Sequence, residues 1–426
     1  MITVGLDFGT HQTKICIEDR NRVETHYKFL RFLDLEGNLQ YTLPSIICIT
    51  PDQRLKYGFV ENIPNGVYKR YFKQAVYRDN NSPEMTLWEA ARYSIWYLAY
   101  ILFDLEAEYG QEFSVQMGAP TDSETIDDKK AIAVSILASA YRLVENVFEN
   151  DKEAFLQTKL DKLIELTEIV KFSEDVKRDY QILVFPEAYA CLLPMISKGK
   201  ISHGMSLVVD IGGGTTDISF FTIEEKERGH GFYQPQVYDF FSLNKGLNYL
   251  TEPAISTHKD ILQMLQFFSE KKLNEKRLEI YFEEILKMCN NLISKLKSEW
   301  KSQTKFKEFR LTERLKKRPI IYTGGGCTIP KLQNIYQGFS DKYIISYESW
   351  RSKDFDDQTL FMNRSLCPIL STAYGLSISM KNDIIKKKPF RDIFKDVRGQ
   401  GEIPIGETFG HFQYNFDYGL DYEAWK

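Results

Sequence analysis

Val208-Val209-Asp210-Ile211-Gly212-Gly213-Gly214-Thr215-Thr216-Asp217 decides the fold. An apolar run ends near an aspartate, crosses three glycines and resumes as Ile218-Ser219-Phe220-Phe221-Thr222-Ile223. β-branched and aromatic residues on both sides favour strands, so the segment reads as strand, tight turn, strand. About two hundred residues upstream the design recurs as Val4-Gly5-Leu6-Asp7-Phe8-Gly9-Thr10, followed by Lys14-Ile15-Cys16-Ile17. One such hairpin in each half of the chain implies duplicated halves.

Glycine lets the backbone approach a ligand closely, and successive glycine N–H groups can converge on one anion. Gly9, Gly212, Gly213 and Gly214 are therefore candidate phosphate contacts, with Thr10 and Thr215 as hydroxyl donors. Asp7 and Asp210 cannot meet phosphate directly, because like charges repel. They suit a Mg²⁺ ion held through water, since Mg²⁺ keeps several waters and takes few carboxylates. A Walker A loop needs G-x-x-x-x-G-K-[ST] before a helix, and no such run exists. A Rossmann turn also opens a helix, whereas strand-type residues follow both turns here.

A third glycine site differs in kind: Pro319-Ile320-Ile321-Tyr322-Thr323-Gly324-Gly325-Gly326-Cys327-Thr328-Ile329-Pro330-Lys331-Leu332. An apolar strand enters three glycines. Thr328 is then the expected N-cap of a helix, with Pro330 in its first turn and Leu332, Ile335 and Tyr336 at helical spacing. A flat glycine surface there suits a purine or ribose, which side chains would obstruct.

These three segments, in this order, resemble the phosphate 1, phosphate 2 and adenosine motifs of the actin, sugar-kinase and heat-shock-chaperone ATPase superfamily. The likeness is greatest to the nucleotide-binding domain of the heat-shock protein 70 chaperones, and it covers residues 1 to about 380. Phe113-Ser114-Val115-Gln116-Met117-Gly118-Ala119-Pro120 is similar to the family's first connecting strand. Leu183-Val184-Phe185-Pro186-Glu187-Ala188-Tyr189-Ala190 is similar to its E-P-x-A-A stretch, and Ala373-Tyr374-Gly375-Leu376 to its closing A-x-G helix.

The resemblance implies an α/β, actin-like ATPase fold of two ribonuclease-H-like lobes, each with an inserted subdomain, around a nucleotide cleft. Lobe I would span 1–200 with an insertion at about 41–110. Lobe II would span 201–380 with an insertion at about 246–312, entered at Gly246, and a basic and aromatic tail would occupy 381–426. The implied cofactors are ATP or ADP and Mg²⁺. Glu187 would lie near the metal and the attacking water, and a lysine, Lys73 or else Lys69, near the γ-phosphate. Adenosine contacts would come from Gly324, Gly325, Gly326 and Thr328, and from a helix within 279–300, where Ser294, Lys295 and Lys297 are candidates. His11 and Gln12 follow Thr10 where the family often has two threonines. Gly326 and Thr328 stand where it has serine and arginine.

Bulk properties bound the rest. The length of 426 residues, with 43% apolar content, implies two or more domains. A net charge of −4 supplies no global field to recruit nucleic acid or a membrane. The six cysteines form no C-x-x-C pair and read as buried thiols. The histidines form no zinc set. Asp7 interrupts the N-terminal apolar run, so no signal peptide is expected. Ile95 to Phe103 is too short to span a bilayer and reads as a buried helix, so a cytoplasmic location is expected. Helices are expected over 126–150, with Ala131, Ile132, Ser135, Ile136, Ser139 and Leu143 along one face, and over 152–171. The basic cluster Arg314, Lys316, Lys317, Arg318 reads as a solvated face. With a tail of this length, the family's substrate-binding domain is not expected here. The expected output is a slow ATPase switch, catalysed by Asp7, Lys73, Glu187, Asp210 and Thr215, acting through a separate protein partner or client. An actin-like filament former and a small-molecule kinase are the alternatives, and an oligomer stays open.

Overall fold

The computed structural model describes residues 2–20, 24–77, 85–120, 125–170, 180–197, 206–225, 233–251, 273–303, 311, 315, 319–334, 341–344, 350, 352–380 and 389–392. It is a mixed α/β structure in which each half of the chain builds a sheet. The tail beyond 380, apart from 389–392, lies outside the described residues. So do Arg314, Lys316, Lys317, Arg318, Ile335, Tyr336, and 252–272 and 304–310 of the expected second insertion.

The first half opens with β1 (Ile2–Asp7), β2 (Gln12–Arg20) and β3 (Thr25–Phe29). A small hairpin of β4 (Phe32–Leu33) and β5 (Leu39–Gln40) turns at Gly37, whose φ of 82° suits glycine. Then come β6 (Leu43–Pro44) and a separate three-stranded sheet of β7 (Ile47–Ile49), β8 (Leu55–Tyr57) and β9 (Val67–Lys69). The chain returns to the main sheet with β10 (Phe113–Ala119) and β11 (Ile182–Pro186). The main sheet runs β11-β10-β1-β2-β3, with β6 paired to the start of β2. β2 is antiparallel to both of its neighbours, β1 and β3, while β1, β10 and β11 are parallel.

The second half repeats this plan. β12 (Ser206–Ile211), β13 (Thr216–Glu225) and β14 (Tyr233–Leu243) form the antiparallel part. β15 (Pro319–Thr323) and β16 (Asp341–Ile344) add in parallel, giving the order β14-β13-β12-β15-β16. Strand order and direction therefore match between the halves, β12 standing where β1 stands.

Helix Leu87–Tyr109 starts at a capping box, with Thr86 Oγ1 accepting from Glu89 N and Glu89 returning the bond, and stops at Gly110. Trp96, Tyr97, Leu98 and Ala99 are buried in one core with β1 and β2, as a buried aromatic helix requires. The small sheet joins the same core through Ile47, Ile49, Leu55 and Tyr57. Helix Glu275–Gln303 likewise shares a core with β12, β13 and β15 through Tyr281, Ile285, Leu292, Leu296 and Trp300.

Two expected helices differ in detail. Ile126–Arg142 is α-helical and Leu143–Val147 is a π-helical turn. Its buried residues include Ala133, Val134, Leu137 and Ala140, whereas Ala131 is exposed. The helix packs against Leu87–Tyr109 on one side and β10 and β11 on another, so its neighbours and not one stripe set its rotation. The segment after Asn150 breaks at Thr158 into Lys152–Gln157 and Leu160–Ile169, with Phe155 and Leu163 buried.

The halves interlock. After β11, helices Glu187–Ala190 and Leu193–Ser197 leave the first sheet. Ala188, Cys191, Leu192 and Met195 pack on Val208, Phe221 and Ile321 of the second. The last helix, Cys367–Ser377, does the reverse: Leu370, Ala373 and Tyr374 pack with Cys16, Tyr27 and Phe29. Glycines permit this closeness. A Cβ on Gly5 would lie 2.2 Å from Ser377 N, and one on Gly375 only 1.8 Å from the Ala190 carbonyl oxygen. All six cysteines are buried and none forms a disulfide. Among the described residues no helix is long and apolar enough to cross a membrane.

Candidate functional site

The ends of β1, β12 and β15 and the start of the helix after β11 meet in one cleft. It is lined by Asp7, Gly9, Thr10, His11, Gln12, Lys14, Lys73, Glu187, Asp210, Gly212, Gly213, Thr215, Asp217, Leu247, Gly324, Gly325, Ile369 and Thr372. Ligand crevices of open α/β sheets lie outside the carboxyl ends of parallel strands, and this cleft lies there.

The two glycine turns face each other. A Cβ on Gly213 would come within 2.2 Å of the His11 ring, and one on Gly214 within 2.7 Å of the Thr10 hydroxyl. The first turn is braced where Ser45 Oγ donates to the Gly9 carbonyl at 2.6 Å and Ser45 N to the His11 carbonyl at 2.9 Å. The second is held from behind. Leu247 N donates to the Gly212 carbonyl at 3.1 Å and Asn248 N to the Gly213 carbonyl at 2.9 Å. In a trans peptide the C=O and the following N–H point in opposite directions. The N–H groups of Gly213 and Gly214 are thereby turned away from Leu247 and Asn248. Gly246 makes this support fit, since a Cβ there would lie 2.5 Å from the Gly212 carbonyl oxygen. Gly246 thus backs the turn and does not itself line the cleft.

Charge is concentrated at the base. Asp7, Glu187, Asp210 and Asp217 are all buried, with Lys14 and Lys73 among them. Lys14 Nζ meets Asp7 Oδ2 at 2.9 Å, and Lys73 Nζ meets Glu187 Oε1 at 2.5 Å. Lys73 is carried in by the short helix Phe72–Val76. Lys69, the alternative, sits over the Tyr93 ring at 5.6 Å and does not line the cleft. Burial pushes the Glu187 carboxyl up to about 7, with Lys73 opposing and Asp217 and Asp7 adding. Burial, then Asp217, Glu187 and Asp7, push Asp210 far above the carboxylate range. Burial also raises Asp217, although Ser242 and Thr215 hydrogen bonds oppose it. Its Oδ2 accepts from Thr215 Oγ1 at 2.9 Å, while its Oδ1 is buried with no hydrogen-bond partner. Burial works against the charge on Lys73, but Glu187 and Asp7 outweigh it and raise its pKa. Burial holds His11 down to about 4, so its ring is neutral at pH 7.

The third glycine site closes one wall. Gly324 has φ 78° and donates its N–H to the Pro368 carbonyl at 3.1 Å. A Cβ there would lie 2.3 Å from Asp210 Oδ1. Gly325 lines the cleft, while Gly326 packs on the Ile211 side chain. Thr328 is not an N-cap. Gly325–Thr328 and Pro330–Asn334 are two 3-10 turns, and the Thr328 hydroxyl donates to the Gly325 carbonyl at 2.7 Å within the first. Lys295 is likewise not at the cleft: its Nζ pairs with Asp239 Oδ2 at 3.0 Å and lies over the Phe390 ring. Ser294 is exposed. The face of Glu275–Gln303 turned inward is apolar, which leaves these polar residues outside.

Lys14, Asp217, Leu247, Ile369 and Thr372 are cleft residues that sequence reasoning missed. The first two had a signal. In an antiparallel hairpin, residues at equal distances from the centre of the turn face each other. The pairs observed are Asp7 with Lys14 and Asp210 with Asp217. Leu247, Ile369 and Thr372 arrive through tertiary packing alone.

Among the described residues, no three His, Cys, Asp or Glu side chains gather into an all-protein metal cage. No protein-family model matches the chain, and no curated protein sequence does.

Proposed function

We propose that this chain is a Mg²⁺-dependent ATP-binding switch of actin-like fold that hydrolyses ATP slowly and acts through a protein partner. The observation that carries the reading is that Gly9 and Gly213, from hairpins in two sheets of one topology, line a single cleft with Asp7 and Asp210. Two ribonuclease-H-like lobes exchanging their last helices account for the strand order and the interlock together. The backed glycine turn, with N–H groups freed from its own carbonyl supports, suits a phosphate chain. Gly324, Gly325, Leu247 and Ile369 offer the flat, partly apolar wall that a nucleoside needs.

The donor set fits a hydrated magnesium ion. Four buried carboxylates share the cleft with two lysines, and a bound cation would favour the ionised form of those that burial keeps protonated. Asp7 and Asp210 would hold such an ion through water, and it would neutralise charge on the phosphates. Lys73 and the hairpin N–H groups would stabilise the equatorial oxygens of the transferring phosphoryl group. Thr215 would orient the attacking water. Glu187, with its pKa near the working pH, is suited to accept the water's proton, and Asp210 is a second acceptor only once a bound cation has displaced its own proton.

The test compares the parent with Asp210→Ala for nucleotide binding and phosphate release. The variant is expected to keep its far-ultraviolet circular dichroism and to lose hydrolysis by about a hundredfold or more. Equal hydrolysis by both proteins would remove Asp210 from the mechanism. A parent that binds no nucleotide with Mg²⁺ present would end the reading.

A further inference from the structure

His11 and Gln74 do something across the cleft that phosphate binding does not require. The His11 ring, on the first hairpin turn, is hydrogen-bonded to Asn248 Oδ1 of the second half. Gln74 Nε2 donates to the Gly214 carbonyl at 2.9 Å and to Asn244 Oδ1 at 3.2 Å. Both donors come from the first half, and every acceptor flanks or belongs to the second hairpin. Gln74 also follows Lys73 directly, on the helix Phe72–Val76 that places Lys73 against Glu187.

We propose that His11 and Gln74 form a clasp that sets the closed state of the two lobes and couples closure to the geometry of the second hairpin. The inference rests on the nucleotide reading only for its consequence on nucleotide release. The bond from Gln74 fixes the Gly214 carbonyl. By the antiparallel arrangement of C=O and N–H in a trans peptide, it also fixes which way the Thr215 N–H points. Opening the lobes must break this bond and the His11–Asn248 bond together. It then frees the Gly214–Thr215 peptide and withdraws the helix that carries Lys73. Closure therefore assembles hairpin and lysine in one step, which makes His11 and Gln74 positioning residues.

The test uses the full chain and four variants: His11→Ala, Gln74→Ala, the double variant and Gln74→Glu. The last is isosteric but cannot donate to a carbonyl when ionised. Two quantities are measured: the lobe-to-lobe distance distribution without nucleotide, by paired spin labels, and the release rate of a fluorescent ADP with Mg²⁺. Each single variant is expected to widen the distribution and speed release about five- to tenfold, the scale of one hydrogen bond. Gln74→Glu is expected to match Gln74→Ala. A double variant with the parent's distance distribution, and release within about twofold, overturns the clasp. If the parent binds no nucleotide but the variants still widen, the clasp stands and the ATPase reading fails.

Discussion

Glu187 holds its proton to about pH 7 because water barely reaches it and Asp217 and Asp7 oppose its charge. A general base must be ionised, so phosphate release in single turnovers is expected to rise with pH through about 7. Glu187→Gln is expected to lower the rate at least about a hundredfold and to flatten that rise. A rise that persists in the variant would assign the titration elsewhere. Glu106 gives a second pH dependence, away from the cleft. Burial and then Glu145 raise it from 4.5 to about 7, with Gln111 opposing. The folded state then keeps a proton that the unfolded chain releases, so stability is full below about pH 4.5 and falls as pH rises through about 7. Urea midpoints at pH 5 and pH 8 should differ less in Glu106→Gln than in the parent. At this scale the aspartates Asp7 and Asp210 were readable because a charge ending an apolar strand beside glycine has few other uses. Lys14 and Asp217 were readable only by counting across each turn. Leu247, Ile369 and Thr372 look like ordinary helix residues until the halves meet.

Among elements, the strands and both hairpins were legible because β-branched and aromatic runs flank the glycines. The capped helix Leu87–Tyr109 shows why a local pattern suffices when cap, stop and apolar run agree. The segment after Gly326 shows the opposite. Thr328 has the chemistry of an N-cap, but its hydroxyl is used within a 3-10 turn, and nothing local distinguishes the two uses. The glycines carry sharper predictions. Gly375→Ala would set a Cβ against the Ala190 backbone carbonyl, and neither helix can yield without leaving its sheet. It is expected to destabilise the protein by about 1–3 kcal/mol, read as a lower urea midpoint. Gly213→Ala would drive a methyl into the His11 ring. It should weaken nucleotide affinity while changing the urea midpoint far less than Gly375→Ala.

For the whole molecule, two sheets of equal strand order are tied together, because helices that follow one sheet pack on the other. A ligand bound in the cleft favours the folded form by mass action. Mg²⁺ with ATP at a hundredfold excess over Kd is expected to add about 2.7 kcal/mol of stability, seen as a raised Tm that a chelator reverses. No shift at any concentration would deny a cleft ligand of this kind. The sequence by itself determined the hairpins, their duplication and the carboxylates that end their strands, because turn chemistry and strand propensity act within a few residues. Only the tertiary structure decided which lysine enters the cleft, that Lys295 and Thr328 stay out of it, and that Gln74 reaches the second hairpin. Those outcomes depend on the rotation of helices and on the distance between two sheets, which packing between remote segments sets and no local pattern encodes.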